Sequence, residues 1–585
     1  MCHINNCVYL KSAHKSKIDL KVMSMTNQKN KDDFLEIIFP KLSHFWMDSG
    51  LLGLYKIAEK EDPSKLDVEM RLTDEGLTFK GNEDNLTALF NKSYKSLLDQ
   101  YYNKSTEKQK QKKEGFYYDS KEDKFVRFPK VKAMGIAGLI FNKPPRMTAK
   151  QVKYDVIEVN EAGKKIKKKV LPPEYSHLQD RFDSFLSETG LKISSNNLLI
   201  DGPNAIRPQV DIKVKKGKEK GRCFICGEAS HSLSEIGGTV YPMITGSSGV
   251  LSFNSNGGSP EKVCWKCDFL GKFVPVNGFY VYNNDSYNIY FPYSSSPIKM
   301  SEVYDSFQAE KIEDPNLLIN FKNNLGFFFQ HPFEQFFSFL YSLYLTFLRK
   351  TPTDGSEFEL DLEKLFDVFI LKAPLEFYII NTRALGDTQM GKMIWPFNDS
   401  VYLFRLFDKI EKKKINLKEV MENLIDYDQK KNDNKTLIRN KVCERILKKN
   451  SILELIEQYA FHINKSKKRY IKPIHDFVIE YEKILKEGND KVDQEIIDTA
   501  VSLGKTIGFS VATAGRKGKG DLFRLRRTRK PEDFLNEINR IQIKYGALVT
   551  ADLYGKGQEF ENNFQEFKQF CMIAALNTFN AKSQN

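Results

Sequence analysis

At 585 residues the chain is long enough for several structural units of roughly 150 residues each. Hydrophobic residues at 41% and charged residues at 28% lie near the globular norms of about 45–50% and about 25%, which excludes collagen-like, mucin-like and wholly disordered classes. With 90 Lys and Arg against 76 Asp and Glu the formal charge is +14, the balance expected of a chain that meets a polyanion, nucleic acid first. The excess is concentrated: residues 101–222 hold 28 Lys or Arg and 15 Asp or Glu, which favours a binding surface over a general solubility device. Eight cysteines are too few for a disulfide framework and four of them form two C-x-x-C pairs, so a reducing compartment fits.

Residues 1–33 read as a polar, unstructured lead-in. They lack the apolar run of a secretory signal, and translation starting at Met23 or Met25 would remove most of them. Cys2, His3, Cys7 and His14 could hold a metal on paper, but the surrounding composition argues for disorder. A helical pair is expected around Phe34 to Ile57. A hairpin follows, Val68 to Leu72 with Leu77 to Lys80 across Asp74-Glu75-Gly76, and then a helix from Asn85 to Tyr101. Lys104 to Lys113 reads as a linker. Between Gln151 and Leu171 the alternation of Val152, Tyr154 and Val156 and a turn at Asn160-Glu161-Ala162-Gly163 predict another hairpin. Its return arm carries Lys164, Lys165, Lys167, Lys168 and Lys169. Such an arm serves either to lie along phosphates or to blunt a sheet edge.

A further hairpin is expected at Phe279 to Tyr282 and Tyr287 to Phe291, with its aromatics in a core rather than stacked on bases. The apolar stretch Leu325 to Leu348 leaves fewer residues after Glu334 than the ~20 that span a bilayer, and reads as a buried helix, Phe333 to Leu348, begun by Pro332. No membrane partner is expected. Beyond Met300 the chain reads as mainly helical.

Two motifs carry chemistry. Cys223-Phe224-Ile225-Cys226-Gly227 and Cys264-Trp265-Lys266-Cys267 are two knuckles whose four thiolates suit a closed, structural zinc site, with His231 a poor substitute ligand. The approach, Lys213 to Arg222, is strongly basic. The second motif is GRKGKGDLFRLRRTRKPEDF, residues 515–534. It carries Arg516, Lys517, Lys519, Arg524, Arg526, Arg527, Arg529 and Lys530 against Asp521, with glycines 515, 518 and 520 free to follow a phosphate chain. Pro531 then starts a helix with Phe534, Ile538, Ile541 and Tyr545 on one face and Gly546 as its stop, and Arg540 and Lys544 extend the basic face. Apparent catalytic motifs fail. Gly504-Lys505-Thr506 lacks the first glycine of a phosphate loop, Thr499 standing there, and His475-Asp476 has no further ligands at metal spacing. The chain reads as a binding protein, not an enzyme.

The order of Trp46-Met47-Asp48-Ser49-Gly50-Leu51-Leu52-Gly53-Leu54, Asp201-Gly202-Pro203-Asn204 before Arg207-Pro208, the paired C-x-x-C and Leu522-Phe523-Arg524-Leu525-Arg526 resembles the CXXC-CXXC family of CRISPR-associated proteins. These are large subunits of type I-B Cascade, Tneap subtype. The resemblance implies a prokaryotic, cytoplasmic, non-catalytic subunit that works with guide RNA, target DNA, the backbone, guide-processing and small subunits of Cascade, and a helicase-nuclease. It implies recognition of a protospacer-adjacent motif and support of the R-loop in antiviral defence, with base pairing reading the target. Lys143, Asn204 or the lysine hairpin are the motif-reading candidates, and an internal start at Met421 would give a separate small subunit. A free-standing zinc-ribbon regulator and a nuclease with an unrecognised site are the alternatives.

The expected fold is α+β and multidomain. It comprises a basic mixed domain with hairpins at 34–210, an inserted four-cysteine zinc ribbon and hairpin at 211–295, a mainly helical region at 296–415 and a helical bundle at 416–585.

Overall fold

The computed structural model describes residues 34–102, 111–129, 150–202, 218–236, 261–308, 321–350, 375–463, 471–486, 491–546 and 557–583, apart from positions 162–163, 194, 284–285, 322–323, 327–328 and 386–387. The fold is α+β, with its sheets in the N-terminal two thirds, a cysteine cluster between 223 and 267, and a helical C-terminal part.

The first element, Phe34–Pro40, is a strand and not the expected helix. Ile37 and Phe39 are buried while Phe34, Glu36 and Ile38 are exposed, and this period of two outweighs helical propensity. It pairs antiparallel with Gly76–Asn82, which pairs in turn with Glu69–Thr73 in the expected hairpin. Helix Phe45–Lys60 follows, its first turn held by Asp48, whose carboxylate accepts the N–H groups of Leu42 (2.9 Å) and His44 (3.1 Å). Helix Glu83–Leu97 is capped by Asn82, whose side chain accepts from Asn85 N–H, and runs on through a wide turn at Leu98–Tyr102. A Cβ on Gly50 would lie 2.3 Å from Leu270 O, and one on Gly53 would lie 2.2 Å from Phe273 O. The two glycines therefore let Phe45–Lys60 touch the backbone of Trp265–Phe273, the helix that grows out of the second cysteine knuckle.

The expected boundaries shift accordingly. Residues 34–102 and the cysteine module share one core, in which Trp46, Leu54, Phe90, Phe269 and Phe273 pack with Cys223, Cys264 and Cys267. Residues 115–200 form a separate small unit. Its sheet runs Lys124–Phe128, Gly115–Asp119, Asn197–Ile200, Lys150–Lys153, backed by helix Gln179–Thr189 around Tyr118, Tyr154, Phe182 and Leu198. The lysine hairpin, Asp155–Glu161 with Lys164–Val170, projects from that unit, and Val152 belongs to the sheet instead.

A four-stranded antiparallel sheet occupies the middle: Phe279–Asn283, Ser286–Tyr293, Glu376–Leu385 and Thr388–Phe397. Its second hairpin lies where mainly helix was expected, and its pairing with the first crosses the expected boundary at 295. Both faces of its first three strands are covered, while Met393 and Ile394 of the edge strand Thr388–Phe397 are exposed. Phe279, Tyr290, Phe377 and Ile379 face the C-terminal core, while Tyr280, Ile289, Phe291 and Ile380 face the N-terminal one. Strand Glu376–Leu385, whose described residues are buried or half-buried on both sides, lacks the clean alternation that marks a strand, and so the second hairpin hid from sequence patterning. The aromatics are core residues, as expected.

Helix Pro332–Lys350 is the buried helix expected there, opened by Pro332, and it packs in the C-terminal core. Glu334 and Arg439, with side chains 0% and 1% exposed, bond at 2.6 Å. Glu334 also accepts from Thr436 Oγ1 and the N–H groups of Gln330 and His331. Arg439 lies over the Phe329 ring and donates to Met421 O. In the bundle, Lys491–Ala512 packs along Phe564–Ser583, and a Cβ on Gly504 or Gly508 would lie 2.2 Å from Cys571 O or Ala575 O. Gly504-Lys505-Thr506 is thus the middle of a packed helix. Glu334→Ala should cost about 3–5 kcal/mol, because it leaves the Arg439 charge buried and unpaired. Urea unfolding followed by near-ultraviolet circular dichroism measures this, and an unchanged midpoint would contradict it.

Candidate metal centre and nucleic-acid interface

The first knuckle is a tight turn in which Gly227 N–H donates to Cys223 O and Cys223 N–H to Glu228 O, with Gly227 at φ +71°. The second closes strand Lys262–Cys264, and Cys264 becomes the residue preceding helix Trp265–Phe273, so Cys267 sits in that helix's first turn. A main-chain bond from Phe224 N–H to Lys262 O ties the knuckles together, and Lys266 bridges Glu228 and Ile38 O. All four sulfurs lie within 4.8 Å of one another, and Cys226 and Cys264 are 3.8 Å apart. That separation suits a tetrahedron with metal–sulfur bonds of about 2.3 Å, whose edge is about 3.8 Å. The donor set therefore fits one metal ion.

Thiolate, not thiol, is the metal ligand, so an ion entering this cluster must displace protons from it. Among the described residues this is the one such convergence of ligating side chains. His231 stands outside it, and Cys2, His3, Cys7 and His14 lie outside the described residues.

The basic segment after Gly515 is a helix, Arg516–Arg526, rather than a glycine-rich loop. A Cβ on Gly518 would lie 1.9 Å from Val511 O, so this glycine serves close packing against the end of the preceding helix. Only Gly515, at φ +50°, acts as a turn. The cations divide into two sets. Arg526 forms a two-pronged pair with Glu457 (2.5 and 2.9 Å) and stacks over Phe461. Arg540 and Lys544 both bond Asp521, at 2.7 and 2.8 Å, and Tyr545 donates to the same carboxylate. These three cations, expected on a binding face, hold the bundle together. Lys517, Arg524, Arg527, Arg529 and Lys530 are exposed and form no ion pair among the described residues. Lys519 is half-buried, and its ammonium is shifted down by burial. Arg516 opens the helix.

On the lysine hairpin, Lys165, Lys167 and Lys168 are exposed. Lys164 stands opposite Glu161 in the strand register, and Lys169 donates to Ser195 O and Asn196 Oδ1. Lys143, Asn204 and the lysines 213–216 lie outside the described residues. Asp201, which opens the Asp201-Gly202-Pro203-Asn204 motif, has φ +59° and accepts from Ser120 N–H, so it anchors a turn. His475 and Asp476 pair at 2.8 Å, and Asp476 also meets Lys472. Among the described residues no helix is long and apolar enough to cross a membrane. No family model and no curated protein matches the chain.

Two outcomes check these assignments. Cys264→Ser should abolish metal retention and lower the melting temperature of the N-terminal unit by about 2–4 °C for each kcal/mol lost, with chelator bringing the wild type down to the same value. Metal analysis and calorimetry read this. For Asp521, burial pushes the carboxyl up, but Lys544, Tyr545 and Arg540 more than offset it and hold it well below the ordinary carboxylate range. A depressed acid stabilises the fold fully above its unfolded value of about 3.9, and the gain is lost as pH falls through the folded value. Asp521→Asn should therefore cost about 2 kcal/mol at neutral pH, and the gap to wild type should close below about pH 4. Urea titrations across pH measure the gap.

Proposed function

We propose that the chain is a non-catalytic, nucleic-acid-binding large subunit of a type I-B CRISPR Cascade complex, with a structural zinc ion at Cys223, Cys226, Cys264 and Cys267. The observation that carries the binding reading is the set of unpaired cations on the C-terminal bundle: Lys517, Arg524, Arg527, Arg529 and Lys530 stay open while neighbouring cations are consumed by Glu457 and Asp521. Guanidinium groups on a packed helix and its exit turn bind phosphate oxygens without reading sequence. In this role the subunit works in the prokaryotic cytoplasm with guide RNA, target DNA, the other Cascade subunits and a helicase-nuclease. It recognises the flanking motif and steadies the opened duplex while guide pairing reads the target. Zinc is favoured by four sulfur donors at tetrahedral spacing with no position left for water, a closed site that staples structure.

An internal start at Met421 is disfavoured. Such a product would begin inside helix Leu417–Asn423 and lack helix Pro332–Lys350, which packs against Leu437–Leu447, so apolar surface buried between them would be exposed.

Replacing Arg524, Arg527 and Arg529 by Ala should weaken binding to DNA and RNA of any sequence, reducing the slope of log affinity on log salt by about 0.7–0.9 per contact, with melting unchanged. Arg526→Ala should instead lower the melting temperature and leave the slope alone. Fluorescence anisotropy at several salt concentrations separates the two, and an unchanged slope in the triple variant would overturn the interface. Co-expression with a repeat array and Cascade partners tests the wider reading. Exclusion of the chain from the guide-RNA particle, or metal-dependent cleavage by the chain alone, would refute it.

A further inference from the structure

The small unit of residues 115–200 has a helix on one side of its sheet. Phe116 and Phe125 meet Phe182 and Phe185 of that helix at ring separations of 5.3–5.9 Å, and Tyr118, Val152 and Leu198 join the same core. Strand alternation turns their neighbours Tyr117, Val126, Phe128, Gln151 and Leu199 to the opposite face, and none of these belongs to the core. Phe128 stands opposite Gly115, its ring so close that a Cβ there would lie 2.5 Å from it, and Tyr117 lies 6.1 Å from Phe128.

At one end of this face a cavity of ≈ 410 Å³ opens beside Gly115, within the ~300–1,000 Å³ typical of small-ligand sites. Phe128, Leu199 and Tyr154 supply its apolar wall, and Gln151 and Asn197, bonded amide to amide at 2.7 Å, supply donors and acceptors. The Tyr154 hydroxyl is buried beside it without a hydrogen-bond partner. Glu114 is the one carboxylate among the lining residues, and Lys192 the one cation. The rim is tied to the lysine hairpin, because Lys169 donates to the carbonyl of Ser195, itself a lining residue. Exposed Lys165, Lys167 and Lys168 thus belong to the same unit as the aromatic face.

We infer that this outer face is a stacking platform for an unpaired nucleic-acid strand, with one base seated in the cavity and the backbone led off along the lysine hairpin. The inference rests on the nucleic-acid reading above. Half-buried rings such as Tyr117 and Phe128 can stack bases of any kind, amide groups meet a base edge, and lysines meet phosphates; a duplex, with its bases already stacked inside, gains none of the first two.

The test uses the full chain, a labelled oligothymidine, the matching duplex and a strand carrying 5-iodouracil. Combining Tyr117→Ala with Phe128→Ala should weaken single-strand binding about tenfold or more, leave duplex binding unchanged, and remove crosslinks that map in the wild type to peptides holding Tyr117 or Phe128. Gln151→Glu sets a carboxylate at an exposed position on the rim, leaves folding intact and should also weaken the single strand. Unchanged single-strand affinity in both variants, with crosslinks confined to residues 516–530, would overturn this inference and leave the nucleic-acid reading standing. Failure of the wild type to bind any strand or duplex would overturn both.

Discussion

The N-terminal half depends on one close approach: helix Phe45–Lys60 lying backbone to backbone against Trp265–Phe273 through Gly50 and Gly53. That contact places the second cysteine knuckle, because the helix it supports begins directly after Cys264. The first knuckle is held to the second by a main-chain hydrogen bond and by the ligand geometry itself. An ion held by the four cysteines would therefore couple metal binding to hydrophobic packing, since the helix that follows Cys264 also completes the core of Trp46, Phe90 and Phe269. The large sheet carries this order onward, since its strands present alternate side chains to the two large cores and bind the halves into one body.

Three buried carboxylates share one logic. Asp48 accepts main-chain N–H groups ahead of helix Phe45–Lys60, and Glu334 does the same ahead of Pro332–Lys350. Glu482 accepts those of Ile452 and Leu453 at the start of Leu453–Ile463. Helix starts expose unsatisfied donors and positive dipole ends, so an acid there gains partners without solvent, although one oxygen of Glu482 stays buried without any. Burial shifts Asp48 and Glu482 upward even so, which shows how far desolvation weighs against their hydrogen bonds. These acids are committed to folding.

What could be read from the sequence was what depends on neighbours in the chain. The hairpin at Asp74-Glu75, the helix opened by Pro332, the helix between Pro531 and Gly546 and the paired knuckles are all local signals, and each stands in the structure. The misses depend on distant partners. Arg526 finds Glu457 sixty-nine positions away, and the hairpin Glu376–Phe397 is a strand pair because it completes a sheet begun at Phe279. Gly518 resembled a phosphate-loop glycine only because the carbonyl of Val511 that it accommodates cannot be seen in a linear motif.

The division of the C-terminal cations shows why counting charge is a poor guide to a binding surface. Residues 516–530 hold eight cations and one acid in sequence, yet the fold turns Asp521 and Glu457 into anchors for Arg526, Arg540 and Lys544. A paired guanidinium offers a polyanion little, because engaging phosphate would first break a charge-assisted pair. The open cations gain from that arrangement. Arg524 stands on a helix whose Leu522 and Leu525 are fully buried, and the turn after it is fastened where Lys568 donates to Thr528 O. Their backbone positions are thus fixed by the fold, so a phosphate chain meeting them would cost mainly side-chain order. Internal ion pairs and open cations are in this sense complementary: the first set fixes the scaffold from which the second set reaches out.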